Sequence, residues 1–184
     1  MNADELAELI ASRRSNISID PASDVRPEHI AQMLTAAQNA PNHKRTWPLR
    51  AAVLRGESRR DLGETIADAM AQRGDDESKV EKTRTKYLRS PIIIVVASAI
   101  GTSDSETEEN KYAVAAGIQN LLLTAEATQY ASLWSTPAKG ANDAITSVCG
   151  FEPTDQVLGI IYVGVATKPA TAVERPAVRV TYLS

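Results

Sequence analysis

One stretch limits what this chain can fold into: Glu108 to Thr136, EENKYAVAAGIQNLLLTAEATQYASLWST. From Tyr112 to Leu123 most positions are apolar or small: Ala113, Val114, Ala115, Ala116, Gly117, Ile118, Leu121 and Leu122. Only a polar stripe remains, built from Gln119, Asn120, Thr124 and Glu126. A helix wetted on so little of its surface lies inside a core or an interface. Ala115, Ala116 and Gly117 let another backbone come close. The helix gives way near Tyr130 and Ala131 to Ser132–Thr136, a short strand closed by Pro137. A buried helix feeding a strand whose end carries Trp134, Ser135 and Thr136 predicts a central scaffold with a binding edge.

The 184 residues are one domain of ordinary size, and 43% hydrophobic content can build its core. A net charge of −3 does not point to nucleic acid or an acidic membrane surface. Aromatics at 4% are too few for base-stacking platforms. A single cysteine, Cys149, excludes an internal disulfide and a cysteine-based zinc site. It stands in apolar context and reads as a small buried residue. His29 and His43 lie on different elements, and no His, Asp and Glu cluster has ligand spacing, so no metal is expected. The longest apolar run, Ile92 to Ala97, is a strand's worth, not a membrane span. The opening Asn, Asp and Glu residues are unlike a signal peptide, and a soluble cytoplasmic protein is expected.

Along the chain, Asn2 and Glu5 have capping-box spacing ahead of a helix carrying Leu6, Leu9 and Ile10. Arg13 and Arg14 follow, where a helix C-terminus favours cations. Pro27 opens a second helix with Ile30, Met33, Leu34 and Ala37 on one face. Residues 40–49 form a loop with a His, two cations and a Trp between prolines. A strand at Arg50–Leu54 and a helix with Leu62, Ile66, Ala69 and Met70 come next. Asp75–Leu88 reads as a charged, exposed helical stretch, and its cations as a solvated face. Ile92–Ala97 reads as a strand buried on both faces. Gly101–Thr107 reads as polar and flexible. After the Trp134 strand come a short helix at Asn142–Val148 and a strand at Val157–Val165. The tail from Thr167 ends in Val178–Tyr182, a strand pattern placed to pair with a partner chain. The irregular alternation predicts an α+β or mixed α/β sheet with one deeply buried helix. The fingerprints G-x-G-x-x-G, the P-loop and Gly-x-Ser-x-Gly are absent.

Two segments stand out chemically: Arg13-Arg14-Ser15 and Asn42–Trp47. Together they offer guanidinium groups, a hydroxyl, an imidazole and an indole. That set suits a phosphorylated aromatic ligand, with arginines on the phosphate and flat side chains on the ring. The plain alternative is a charged helix end and a surface loop.

The same residues resemble the opening of the FMN-dependent nitroreductases. Arg13-Arg14-Ser15 follows a short first helix, and Ala36-Ala37-Gln38-Asn39-Ala40-Pro41 comes after it. The form Ala40-Pro41-Asn42-His43-Lys44 with Trp47-Pro48 is similar to the short YdjA-like branch. The charged helix before Arg89-Ser90-Pro91, the helix from Glu109, the Leu133-Trp134-Ser135 element and the strand Val157–Gly164 also match. The resemblance covers nearly the whole chain.

It implies an α+β sandwich, a mixed or antiparallel sheet flanked by helices, in a single domain spanning 1–184. It also implies a domain-swapped homodimer. The buried helix would be its spine, and an arm from about residue 167 to 184 would cross to the neighbour. Two FMN molecules would lie in clefts touched by both chains. The implied FMN contacts are Arg13, Arg14 and Ser15, then His43 and Trp47, then Trp134, Ser135 and Thr136. Arg175 stands where longer members place a phosphate-binding arginine. The implied activity is hydride transfer from NAD(P)H through FMN to nitroaromatics, quinones or similar small acceptors, with no side-chain catalytic residue. The same fold also supports dehydrogenation, dehalogenation and flavin destruction. The alternative is a flavin-binding or flavin-storing protein, or a degenerate member. Two departures motivate it: Trp47 replaces a usual Gln or Asn, and Ser135 a frequent Arg.

Overall fold

The computed structural model describes residues 2–183. The helices are α1 (Ala3–Ser12), α2 (Pro27–Gln38), α3 (Ser58–Gln72), α4 (Glu77–Arg84), α5 (Asp104–Ala127) and α6 (Asn142–Cys149). The strands are β1 (Leu49–Leu54), β2 (Ile92–Ser98), β3 (Ala131–Ser135) and β4 (Gln156–Gly164). They form one sheet in the order β1-β2-β4-β3, every pairing antiparallel. The expected α+β sandwich is therefore observed, with an antiparallel sheet and helices on both faces.

Strand β2 lies at the centre and is buried along its whole length. Ile93 and Val95 pack with Leu62, Ile66 and Ile145 of α3 and α6. Ile92, Ile94 and Val96 pack with Met33, Ile118 and Leu121 of α2 and α5. A strand covered on both faces needs apolar side chains at every position, which is why its sequence does not alternate. The capping box at Asn2 and Glu5 is formed, and Pro27 opens α2.

Three local expectations change. Residues 101–107 are not a flexible link, because α5 already begins at Asp104 with Ser103 as its N-cap. The Gly101 N–H donates to Thr107 Oγ1 (2.9 Å) and the Thr102 hydroxyl to Glu106 (3.0 Å). The polar residues there satisfy the helix's free N–H groups and close its entry turn. The charged stretch at 75–88 is also less exposed than expected. Val80, Thr83 and Tyr87 are buried, and Arg84 joins Glu64 and Asp68 of α3 to Glu81. Finally, residues 178–182 form no strand within the single chain. An isolated strand has no ladder to satisfy its backbone.

Helix α5, 24 residues and about 36 Å long, sets the frame. Gly117 lies against the end of α2, where an added Cβ would stand 2.6 Å from the Ala37 carbonyl oxygen. Asn120 Nδ2 donates to the neighbouring Ala36 carbonyl (3.1 Å). The opposite side of α5 stays open, and Tyr112 is 65% exposed.

The α3/α6 side of the core holds stacked Tyr87 and Tyr162, ring centres 6.0 Å apart. Burial pushes the Tyr87 phenol up to about 12 from its ordinary 10.0, and the Tyr162 phenol further. Burial likewise pushes the Cys149 thiol up to about 12 from 9.0. The unfolded chain releases these protons first, so rising pH favours unfolding. The stabilisation from keeping these groups neutral is complete below about pH 9 and is lost as pH rises from 9 towards 12. Urea midpoints are expected to fall across that window, less in Tyr87→Phe. Midpoints that stay level there would contradict the burial of the two phenols and the partial burial of Cys149, which is half-buried rather than fully enclosed.

Candidate functional site

Helix α1 ends at Arg13, whose extended backbone (φ −54, ψ 128) turns the chain alongside β3. Ser15 bridges to Ser132, and the Asn16 N–H donates to the Ser132 carbonyl (2.9 Å). Neighbouring residues in extended backbone send side chains to opposite sides. Arg13 and Arg14 accordingly line two different clefts. Arg13 shares one of about 570 Å³ with Ile10, Gln119 and Arg175. Arg14 shares one of about 300 Å³ with Asn16, Glu126, Gln129 and Tyr130.

Arg175 comes from the distant tail. Its Nη1 donates to the Ala11 carbonyl (3.1 Å) and its Nη2 to the Arg13 carbonyl (3.3 Å). Arg14 Nη1 donates to the same two carbonyls. The Nε atoms of Arg13 and Arg14 and the Ser132 hydroxyl are buried without a protein partner. No carboxylate lies within ion-pair distance of Arg13 or Arg175 among the described residues. Two cations in one cleft without a counter-charge form a seat for an anion.

Further along β3, Trp134 pairs with Ile161 and is 38% exposed. Its Nε1–H donates to the Leu158 carbonyl (3.1 Å). The β2–β4 register slips between Val96 and Ala97, so Leu158 is the extra residue of a bulge. Gly159 lies under the indole, and a Cβ there would stand 2.4 Å from Nε1. Gly159→Ala is therefore expected to push the ring off its seat. A red shift and loss of intensity in Trp134 fluorescence, measured in a Trp47→Phe background, would report it. An unchanged spectrum would mean that the indole does not depend on that gap.

Because the Ser132 carbonyl faces Asn16, the main chain of Ser132 points away from β4. Strand alternation turns the Trp134 main chain the same way. The Trp134 N–H is thus a donor on an open sheet edge. Ser135 is half-buried and Thr136 exposed beyond it. Four residues of strand place Thr136 roughly 13 Å from Ser132.

His43 and Trp47 lie elsewhere. Their loop leads into β1, the opposite edge of the sheet, with β2 and β4 between. Three inter-strand spacings amount to roughly 14 Å. One chain alone does not bring His43 and Trp47 to Arg13 and Trp134. The loop is nonetheless tightly built. Asn42 accepts from the Trp47 N–H (2.9 Å) and donates to Thr46 Oγ1 (3.0 Å). Thr46 donates to the buried Asn110 (2.6 Å). This brace holds Lys44, Arg45 and Trp47 in left-handed backbone (φ 55, 56 and 49), a cost tolerated where a side chain must be aimed. Trp47 is 52% exposed.

Sequence reasoning missed Gln119 as a cleft residue and Asn42 and Asn110 as the loop's brace. The signal for Gln119 was its place in the polar stripe of an otherwise apolar helix. Asn110 gave a weaker one, a lone amide at the start of the buried face.

The nitroreductase family profile matches residues 10–165. YdjA of Escherichia coli K12, assigned by its name to the NAD(P)H nitroreductases, is 26% identical over 172 residues. The match covers 92% of this chain and 93% of YdjA. A nitroreductase-like protein from Bacillus cereus superposes with a TM-score of 0.79 at 24% identity, covering 96% of this chain and 94% of that one. A nitroreductase from Bacteroides fragilis, solved with bound FMN, gives 0.78 at 20% identity over the full length of both chains. The chain belongs to the nitroreductase family, and the oxidoreductase class implied by the resemblance stands.

Proposed function

We propose that this protein is a homodimeric FMN oxidoreductase that draws electrons from NADH or NADPH and reduces nitroaromatics, quinones or similar small acceptors. The observation that carries it is the cleft lined by Arg13 and Arg175 without a carboxylate, beside an edge strand with a free amide. The FMN-bound relative from Bacteroides fragilis and the NAD(P)H assignment in the name of YdjA agree with it.

The residues fit a mononucleotide. Arg13 and Arg175 would hold the phosphate. Ser15 and the buried hydroxyl of Ser132 would lie towards the ribityl chain, and Trp134, Ser135 and Thr136 beside the ring. Bound FMN supplies the redox chemistry, accepting a hydride from nicotinamide and passing electrons to the acceptor. The chain's share is binding, orientation and charge. The cations offset negative charge on a reduced ring, and the Trp134 N–H offers a fixed donor at its edge. No acid, base or nucleophile is needed from the protein, because the acceptor can draw protons from water.

The dimer completes this site. Leu6 and Ile10 of α1 and Tyr112 of α5 are exposed apolar groups. A second copy would cover them and bring its own His43 and Trp47 to the edge strand. The arm from Thr167, with Val178, Val180 and Tyr182 exposed, would pair with the neighbour. Truncation before Val178 is expected to weaken the dimer in sedimentation, and an undiminished dimer would remove the arm from the interface.

No helix among the described residues is long and apolar enough to cross a membrane. The lone Cys149 suits a reducing compartment, and we place the protein in the cytoplasm. An absorbance scan of the purified protein with added FMN, then anaerobic NADH or NADPH, tests the whole reading. A bound flavin spectrum that bleaches is expected. Protein that takes up no FMN would overturn it, and bound flavin that neither nicotinamide reduces would favour storage.

A further inference from the structure

Beyond Thr167 and Lys168, which bond to Ser18 and Asn16, the tail is tied down at one point. Every residue from Thr171 to Leu183 is exposed, and among the described residues Arg175 makes the only hydrogen bonds of that span. Those bonds go to Ala11 and Arg13, the loose carbonyls at the end of α1, where a cation is favoured. Arg14 already donates to both carbonyls. Those two carbonyls are therefore satisfied without Arg175, whose two bonds are to neutral acceptors. The same guanidinium lines the cleft of Arg13 and Gln119. Bonds to a doubly charged phosphate are stronger than bonds to a carbonyl.

We propose that Arg175 is an exchangeable latch. It caps α1 until a phosphate monoester enters the cleft. The phosphate then takes its N–H groups and fastens the tail across the opening, with Gln119 as a third, uncharged donor. The tail would in this way report whether a mononucleotide is held. This rests on the flavin reading but goes beyond it: that reading needs Arg175 only as a contact and says nothing of the tail's order or of Gln119.

Hydrogen–deuterium exchange of residues 171–178 in the full-length protein tests the latch, with FMN, riboflavin or inorganic phosphate added at one protein concentration. FMN is expected to slow exchange there by about fivefold or more, as local opening becomes rarer. Riboflavin, which lacks the phosphate, leaves it unchanged, and millimolar phosphate slows it partly. Arg175→Gln is expected to keep measurable flavin binding, read by fluorescence quenching, yet lose the change in exchange. Gln119→Leu weakens FMN by about 2- to 10-fold, the loss of one neutral hydrogen bond, without touching riboflavin. FMN that binds while the tail exchanges as before overturns the latch and leaves the flavin reading intact. Equal protection by riboflavin, or protection that follows dimerisation in light scattering and persists in Arg175→Gln, also overturns it. No binding of FMN at all overturns both.

Discussion

Arg13→Ala is expected to lower FMN affinity roughly 10- to 150-fold, the loss of a charge-assisted hydrogen bond of about 1.5–3 kcal/mol. The Arg13 side chain faces the cleft and has no carboxylate partner to give up, so nothing compensates when it is removed. Arg175→Ala should cost less. That side chain must leave two carbonyls to reach a phosphate, which offsets part of what it gains. Arg14→Ala should cost least, because Arg14 lines the other cleft. Flavin fluorescence titrations of the three variants would establish the order. Equal affinities for Arg13→Ala and the parent protein would remove Arg13 from the site, and an Arg14 effect larger than that of Arg13 would move the phosphate to the smaller cleft.

Gly117→Ala is expected to destabilise the fold by a net of up to about 2 kcal/mol. Two effects oppose each other. Replacing a helical glycine by alanine ordinarily stabilises by about 1 kcal/mol. Against that, the new methyl would stand 2.6 Å from the Ala37 carbonyl oxygen. That atom is backbone in the last turn of α2 and cannot rotate away, so α2 and α5 must part. Overpacking of this kind costs about 1–3 kcal/mol, sometimes more. The collision is expected to win, and Gly117→Val should be worse. Denaturant midpoints at constant slope provide the measurement. An alanine variant more stable than the parent would mean that the two helices can separate freely. Because α5 carries Gln119 and braces the 42–47 loop through Asn110, flavin affinity should fall along with stability.

Much of the fold could be read from local chemistry. The capping box at Asn2, Pro27 at a helix start and the unbroken run Ile92–Ala97 each act within a few residues, and each element formed. The polar link before α5 was misread for an equally local reason. Ser103, Thr102 and Thr107 look like loop residues until their side chains are seen closing a helix entry. In the charged 75–88 stretch, Val80 and Tyr87 are widely spaced and gave little apolar period to detect.

For the proposed site, the sequence by itself supplied the candidates: arginines after the first helix, a His–Trp loop after the second, a Trp-Ser-Thr strand end. It also determined that α5 would be apolar over most of its surface and so lie in a core or an interface. Only the tertiary structure decided the partition. It turned Arg13 and Arg14 into separate clefts, brought Arg175 back across more than 160 residues to Arg13, and set Trp134 over the gap left by Gly159. It also placed His43 and Trp47 at the far edge of the sheet. These outcomes depend on which way an extended residue faces, on a one-residue bulge and on strand order. Such quantities are fixed by contacts between segments distant in sequence, so the spacing of residues along the chain does not contain them.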